Sequence, residues 1–117
     1  MPAEFKRGDI VLVSLEPVKG SEQGKTRPCI IIQNDIANRY SPVTNIIPLT
    51  RAENVKKWYT CLVFLGRDEE GLNEDSAAQC NQIRTIDVRE RAIRKVGRIS
   101  GAKMRDIEAA LRIHLSL

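Results

Sequence analysis

The residues best suited to chemistry cluster in one stretch, Gly20-Ser21-Glu22-Gln23-Gly24-Lys25-Thr26-Arg27-Pro28. Its Gly-Lys-Thr suggests the phosphate-cradling loop G-x-x-x-x-G-K-[ST], in which backbone amides curl around a nucleotide. The spacing is one residue short, because only three residues separate Gly20 from Gly24 and Lys19 stands where the first glycine belongs. That motif must also lead into a helix whose N-terminus faces the phosphates. Here the continuation Cys29-Ile30-Ile31-Ile32-Gln33 is apolar and β-branched, which predicts a buried strand. Pro28 in turn keeps Arg27 out of the helical region. The stretch reads as a polar loop entering a strand, and a nucleotide site of this kind is excluded.

Arg27 is then the most useful group in it. A guanidinium carries several donors in a planar fork that matches phosphate oxygens, and it stays charged at cellular pH. A protein that acts on a phosphate must stabilise the charge that builds on the phosphoryl oxygens. Thr50, at the end of a predicted strand, can donate to the same phosphate, and Glu22 is the carboxylate nearest to Arg27 along the loop. Each also has a plain reading as a surface arginine, a strand-end threonine or a loop carboxylate. The single histidine, His114, lies near the C-terminal end of the last helix, so neither paired-histidine catalysis nor a Ser-His-Asp arrangement around Ser76 and Asp75 is available. Asn34-Asp35 reads as a turn signal with a structural role.

The elements that must position these groups are mostly strands. Asp9–Leu15, Cys29–Gln33, Asn45–Thr50, Thr60–Leu65, Ser76–Ile83 and Val96–Ile99 carry the apolar or alternating patterns. Pro48 predicts an edge or a bulge for the third. The ending changes period: Met104, Ile107, Leu111 and Leu115 form one helical stripe, with Ser100 as N-cap and Ile99 against Met104 as a hydrophobic staple. A helix on a small, strongly curved sheet is expected, and such a sheet hides its edges by rolling into a barrel. Its interior has no room for a deep pocket, so an extended ligand across loops is favoured.

Bulk properties agree. The chain has 117 residues, suited to one domain over residues 1–117, with 42% hydrophobic and 29% charged residues. No apolar run approaches the roughly 20 residues of a membrane span. The opening Met1–Asp9 has no signal-like apolar region, which places the protein in the cytoplasm with no membrane partner. Cys29, Cys61 and Cys80 are too far apart for a metal site and read as buried reduced thiols. The net charge of +4 is concentrated after residue 83, where 9 basic side chains face 4 acidic ones, and could attract a polyanion.

Several blocks together resemble one family. Arg7–Asp35, Ser41–Thr50, Gly71–Asp87 and the turn Gly97-Arg98-Ile99-Ser100 before the last helix are similar, in order, to the MazF/PemK toxin endoribonucleases of type II toxin–antitoxin systems. The resemblance implies a mainly β, α+β fold: a compact SH3-like β-barrel with a C-terminal helix, assembled as a homodimer. It also implies cutting of single-stranded RNA without metal or cofactor, leaving a 2′,3′-cyclic phosphate and a 5′-hydroxyl, and control by a cognate antitoxin protein. The family's catalytic arginine and threonine correspond to Arg27 and Thr50. Glu22 and Gln82 fall at positions near bound RNA, and Ser21 and Gln23 join them from the same loop. Lys25 replaces a common glycine, Cys29 a usual aliphatic residue. Asp87–Arg91 is one residue longer than usual, so no function passes to Arg89 or Arg91. The rival reading of another class is a protein-binding toxin of the same fold that poisons DNA gyrase and cuts nothing. A third is an RNA-binding relative without activity.

Overall fold

The computed structural model describes residues 5–117. Of the opening segment, residues 1–4 lie outside the described part. Seven strands and three helices follow in the order β1 (Asp9–Ser14), β2 (Thr26–Ile31), α1 (Asp35–Tyr40), β3 (Val43–Arg51), β4 (Leu62–Leu65), β5 (Ser76–Gln79), β6 (Arg84–Asp87), α2 (Val88–Arg91), β7 (Ala92–Arg98) and α3 (Gly101–Leu115). Single 3-10 turns at Ala52–Asn54 and Cys80–Gln82 break the chain after β3 and β5. All described pairings are antiparallel, in the order β4-β5-β3-β2-β1-β7, with β6 also on β3.

β3 carries the architecture. Its first half, Val43–Ile46, pairs with β6, and its second half, Leu49–Arg51, pairs with β5, while β2 lies along the other side. Pro48 was expected to mark an edge or a bulge, yet β3 is central. The proline is tolerated because Ile47 and Pro48 fall in the gap between the β6 and β5 ladders, where the Cys80–Gln82 turn interrupts pairing.

Two apolar clusters explain the continuous burial of β1 and β2. Ile10, Ile30, Ile47 and Leu49 pack with Met104, Ile107 and Ala110 of α3; Val11, Val13, Cys29, Ile31 and Ile46 pack with Leu15 and Ile86. Neighbouring residues of one strand thus feed opposite faces, as a pleat with period two requires. Ser100 caps α3, accepting from the Lys103 amide at 3.3 Å, and Ile99 and Met104 are both buried as the staple predicts. The stripe ends earlier than expected. Leu115 is 46% exposed, while Ala110 takes a buried place.

The barrel expected from sequence is rolled but not closed by hydrogen bonds, since the paired path ends at β4 and β7. The gap is covered by backbone packing. A Cβ on Gly97 would lie 1.9 Å from the Glu70 carbonyl oxygen, and one on Gly71, which has φ +91°, would lie 2.4 Å from that of Val96. Only glycines allow this approach. At the same end, Asp9 is 1% exposed and accepts from the Lys6 amide at 2.8 Å and from Arg98 Nη1 at 2.8 Å, with Lys95 Nζ 3.2 Å away. This buried carboxylate ties β1 to β7.

Other differences have local causes. α1 was read as a turn because it is short; Asn34 caps it by accepting from the Ala37 amide at 2.9 Å. The predicted strand Ser76–Ile83 is really β5, a turn and the start of the path into β6. β2 starts at Thr26, earlier than expected, so Arg27 is a strand residue. Gly97→Ala should lower stability by about 2–3 kcal/mol through overpacking at the seam. Gly101→Ala, whose added Cβ meets only the Arg105 side chain at 3.5 Å, should leave it within about 0.5 kcal/mol. Urea unfolding of both variants checks this.

Candidate active site

Arg27 is anchored before any ligand arrives. Pairing Val13↔Arg27 fixes its backbone on β1, and burial of Cys29 and Ile30 just beyond it holds β2 in the sheet. Its Nε donates to the Gly24 carbonyl at 2.7 Å and its Nη1 to the Leu49 carbonyl at 3.0 Å. Nη2 has no protein acceptor among the described residues. No carboxylate pairs with this guanidinium there either, so its charge is not neutralised by a salt bridge. Partial burial lowers the Arg27 pKa from the ordinary arginine value, partly offset by Cys29.

Thr50 reaches the same place through register. β2 and β3 pair as Cys29↔Pro48, and continuing two residues sets Arg27 opposite Thr50. The Leu49 carbonyl that holds Nη1 belongs to the peptide immediately before Thr50. Both residues line one open cleft of about 560 Å³, together with Lys25, Arg51, Asn54, Asn73 and Glu74. The two principal expectations therefore meet.

The remaining four candidates form a second, smaller group. Gln82 accepts from the Gln23 amide at 3.2 Å, and its Nε2 donates to the Ser21 carbonyl at 3.3 Å. Gln23 Nε2 donates to Gln79 at 2.7 Å. Glu22 lines a shallow site of about 200 Å³ with Gln23, Gln82 and Arg84. Its carboxylate accepts from the Lys19 amide at 2.9 Å and makes no ion pair with Arg27 among the described residues. Glu22 thus shapes its own loop and does not orient the arginine. A third depression, which contains both Gln23 and Thr50, joins the two groups into one surface.

The sequence reading missed several contributors. Lys25 sits in the cleft wall with φ +66°, the left-handed region that glycine adopts freely, so the replaced glycine leaves its conformation behind. Arg84 Nη1 donates to the Leu15 carbonyl at 3.0 Å, and Arg91 Nη1 to those of Ser14 and Glu16 at 3.1 and 2.6 Å. Asp87 caps the one-turn α2 that carries Arg91, so the added residue in this segment builds a brace for the β1–β2 loop. Two of the nine C-terminal cations are used in this way, and the cleft's cations come from the first half. Glu74 is the one carboxylate of the main cleft, and Arg51 Nε pairs with it at 2.7 Å. Its signal was its place in Gly71–Asp87.

The thiols are not part of the chemistry. Burial pushes Cys29 and Cys80 up to about 12, with nearby Arg27 and Arg84 opposing the shift at Cys29 and Cys61 adding to it at Cys80. Neutral thiols are poor nucleophiles. Cys61 was expected to be buried and is only partly so. His114 is exposed on the last turn of α3, Ser76 donates to the Glu74 carbonyl at 3.1 Å, and Asp75 accepts from the Arg67 amide at 3.0 Å.

The fold is a small rolled antiparallel sheet with one C-terminal helix, and Arg27 and Thr50 line one cleft on its surface. Residues 6–115 match the family described as PemK-like, MazF-like toxin of type II toxin–antitoxin systems. The chain is 38% identical to the endoribonuclease MazF9 of Mycobacterium tuberculosis, over 97% of this chain and 98% of that protein. It belongs to this toxin family. The fold is also that of MazF from Deinococcus radiodurans, with a TM-score of 0.82, 20% identity and 96% of each chain covered. A mycobacterial endoribonuclease in complex with its cognate antitoxin matches with a TM-score of 0.78 and 20% identity, over 96% of this chain and 95% of that one.

The Gln82 contacts predict a local effect. Gln82→Ala should speed hydrogen exchange at the Gln23 amide by about fivefold, since one hydrogen bond is worth about 1 kcal/mol, while core amides of β1 stay protected. Amide exchange followed by NMR reads both.

Proposed function

We propose that this chain is a toxin endoribonuclease, one domain over residues 1–117, that cuts single-stranded RNA at short sequence motifs without a metal ion or cofactor. The observation that carries this reading is the Arg27 guanidinium, held through Nε and Nη1 with Nη2 left to the cleft it shares with Thr50. The name of the 38% identical relative, an endoribonuclease, supports it, and no comparison favours the gyrase-poison reading. The solved complex of a mycobacterial endoribonuclease with its antitoxin supports a cognate antitoxin as partner here. Assembly as a homodimer and action in the cytoplasm complete the proposal. Among the described residues no helix is long and apolar enough to cross a membrane.

In the reaction the ribose 2′-oxygen gives its proton to solvent water and bonds to phosphorus. The bond to the 5′-oxygen breaks, and that oxygen takes up a proton from solvent water as it leaves. The products are a 2′,3′-cyclic phosphate and a 5′-hydroxyl. Charge grows on the two non-bridging oxygens at the pentacoordinate stage. Arg27 stabilises that charge because its donors are already aimed and pay no reorganisation when it forms. Thr50 adds a hydrogen bond to the same phosphate. Glu22, Gln82, Ser21 and Gln23 contact the RNA on the neighbouring shallow site.

Arg27→Ala should reduce kcat by about 10²–10³, as loss of an oxyanion donor does. Arg27→Lys should recover little, since an ammonium cannot span two carbonyls and still present a planar fork. Thr50→Val should cost about tenfold, the worth of one hydrogen bond. The assay is a long single-stranded RNA with purified protein in EDTA, with end-group analysis of the fragments. Cutting by Arg27→Ala at the wild-type rate, or no cutting by wild type, would overturn the proposal.

A further inference from the structure

The main cleft has two open ends, and their electrostatics differ. Toward Arg67 it passes into a depression of about 300 Å³ lined by Glu53, Glu74 and Asp75. The arginines there are already committed: Arg51 pairs with Glu53 at 3.5 Å and with Glu74 at 2.7 Å, and Arg67 pairs with Asp75 at 3.6 Å. Three carboxylates against two engaged guanidiniums repel a polyanion. In the other direction, past Thr50 and Asn54, lies a depression of about 460 Å³. Lys56, Lys57, Tyr59, Gln79 and Asn81 line it, and no carboxylate does. Neither lysine has an ion-pair partner among the described residues.

We propose that bound RNA leaves the Arg27–Thr50 cleft on this side, through a one-nucleotide subsite in which Lys56 and Lys57 hold the phosphate and Tyr59 stacks the base. This deepens the proposed function and rests on it. The Tyr59 ring is 58% exposed, and the Lys57 ammonium lies 5.2 Å from its centroid. That contact orients ring and charge together, so a base and its phosphate meet a prepared pair. Stacking on an exposed ring is tolerant of base identity, because every base has a π-face. Gln79 and Asn81 supply amide groups that can read the edge of the stacked base.

The subsite has a fixed base despite its exposed rim. Val55 donates to the Ala52 carbonyl at 3.0 Å, Ala52 to that of Asp75 at 2.9 Å and Leu62 to that of Tyr59 at 3.0 Å. The 3-10 turn that starts two residues after Thr50 thus positions the loop against the cleft. Trp58 does not belong to the subsite. It packs on Phe64, with ring centroids 6.0 Å apart, and Lys103 of α3 lies over the same Phe64 ring.

The test has a binding arm and a cleavage arm. Binding of a 2′-O-methyl single-stranded RNA, which lacks the nucleophile, is followed by fluorescence anisotropy against salt concentration. Lys56→Ala and Lys57→Ala should each reduce the slope of log affinity on log salt by about 0.7. Tyr59→Ala should weaken binding about tenfold or more, Tyr59→Phe should restore it, and Trp58→Ala should change nothing. In the cleavage arm Lys56→Ala, Lys57→Ala and Tyr59→Ala should raise KM with kcat kept within twofold, about 0.4 kcal/mol, while Tyr59→Phe and Trp58→Ala should leave both unchanged. Unchanged salt slopes and Kd in the lysine and Tyr59 variants overturn the subsite. Absence of cutting by wild type would overturn the nuclease reading, while the binding arm would still decide the subsite.

Discussion

The site depends on two hydrogen bonds from one guanidinium to two backbone carbonyls, those of Gly24 and Leu49. They commit Nε and Nη1 and fix the plane of the group. They also fasten the loop before β2 to the strand that carries Thr50. A carboxylate partner would have fixed the side chain as well, but would have cancelled the charge that a phosphate needs. Carbonyl acceptors orient the arginine and leave it cationic. That choice requires a backbone arranged to offer both oxygens, and most of the fold can be read as the arrangement that does so.

β3 is where the requirement is met. It must lie next to β2 for its Leu49 carbonyl to reach Arg27, and it must change partners from β6 to β5 around Pro48 so that the sheet curls there. Braces outside the cleft hold the other carbonyl. Arg84 and Arg91 grip the peptide oxygens of Ser14, Leu15 and Glu16, and Gln82 holds Ser21 and Gln23. The loop that supplies Gly24 is thereby tied at its root and at its middle. Such side-chain bonds to backbone replace the sheet ladder that an irregular loop lacks. Two of the cations that looked from sequence like a surface for polyanions serve this internal purpose.

The regular parts were legible because they are periodic. Apolar, β-branched runs gave β1, β2 and β3, and the stripe from Met104 with its Ser100 cap gave α3. That Arg27 and Thr50 line one cleft was implied by the family resemblance alone, because two apolar runs do not by themselves set the β2–β3 register. What escaped was irregular or short. α1 and α2 are too brief to show a helical period, β6 follows β5 after a single turn, and Leu115 keeps the stripe's spacing beyond the end of the surface it would pack on. The bonding of Arg27 could not be read at all, because carbonyl acceptors carry no residue signature. For the same reason Glu22 was the natural partner on paper, although its carboxylate instead closes its own turn with Lys19.

The central claim is that the Arg27 guanidinium bears directly on a non-bridging oxygen of the scissile phosphate. Replacing each of those oxygens in turn by sulfur, as separate phosphorothioate diastereomers of one cut site, measures it most directly. The account predicts that wild type cuts one diastereomer much more slowly than the other, and that Arg27→Ala abolishes this difference. Equal rates for the two in wild type, or a difference that survives in Arg27→Ala, would contradict it.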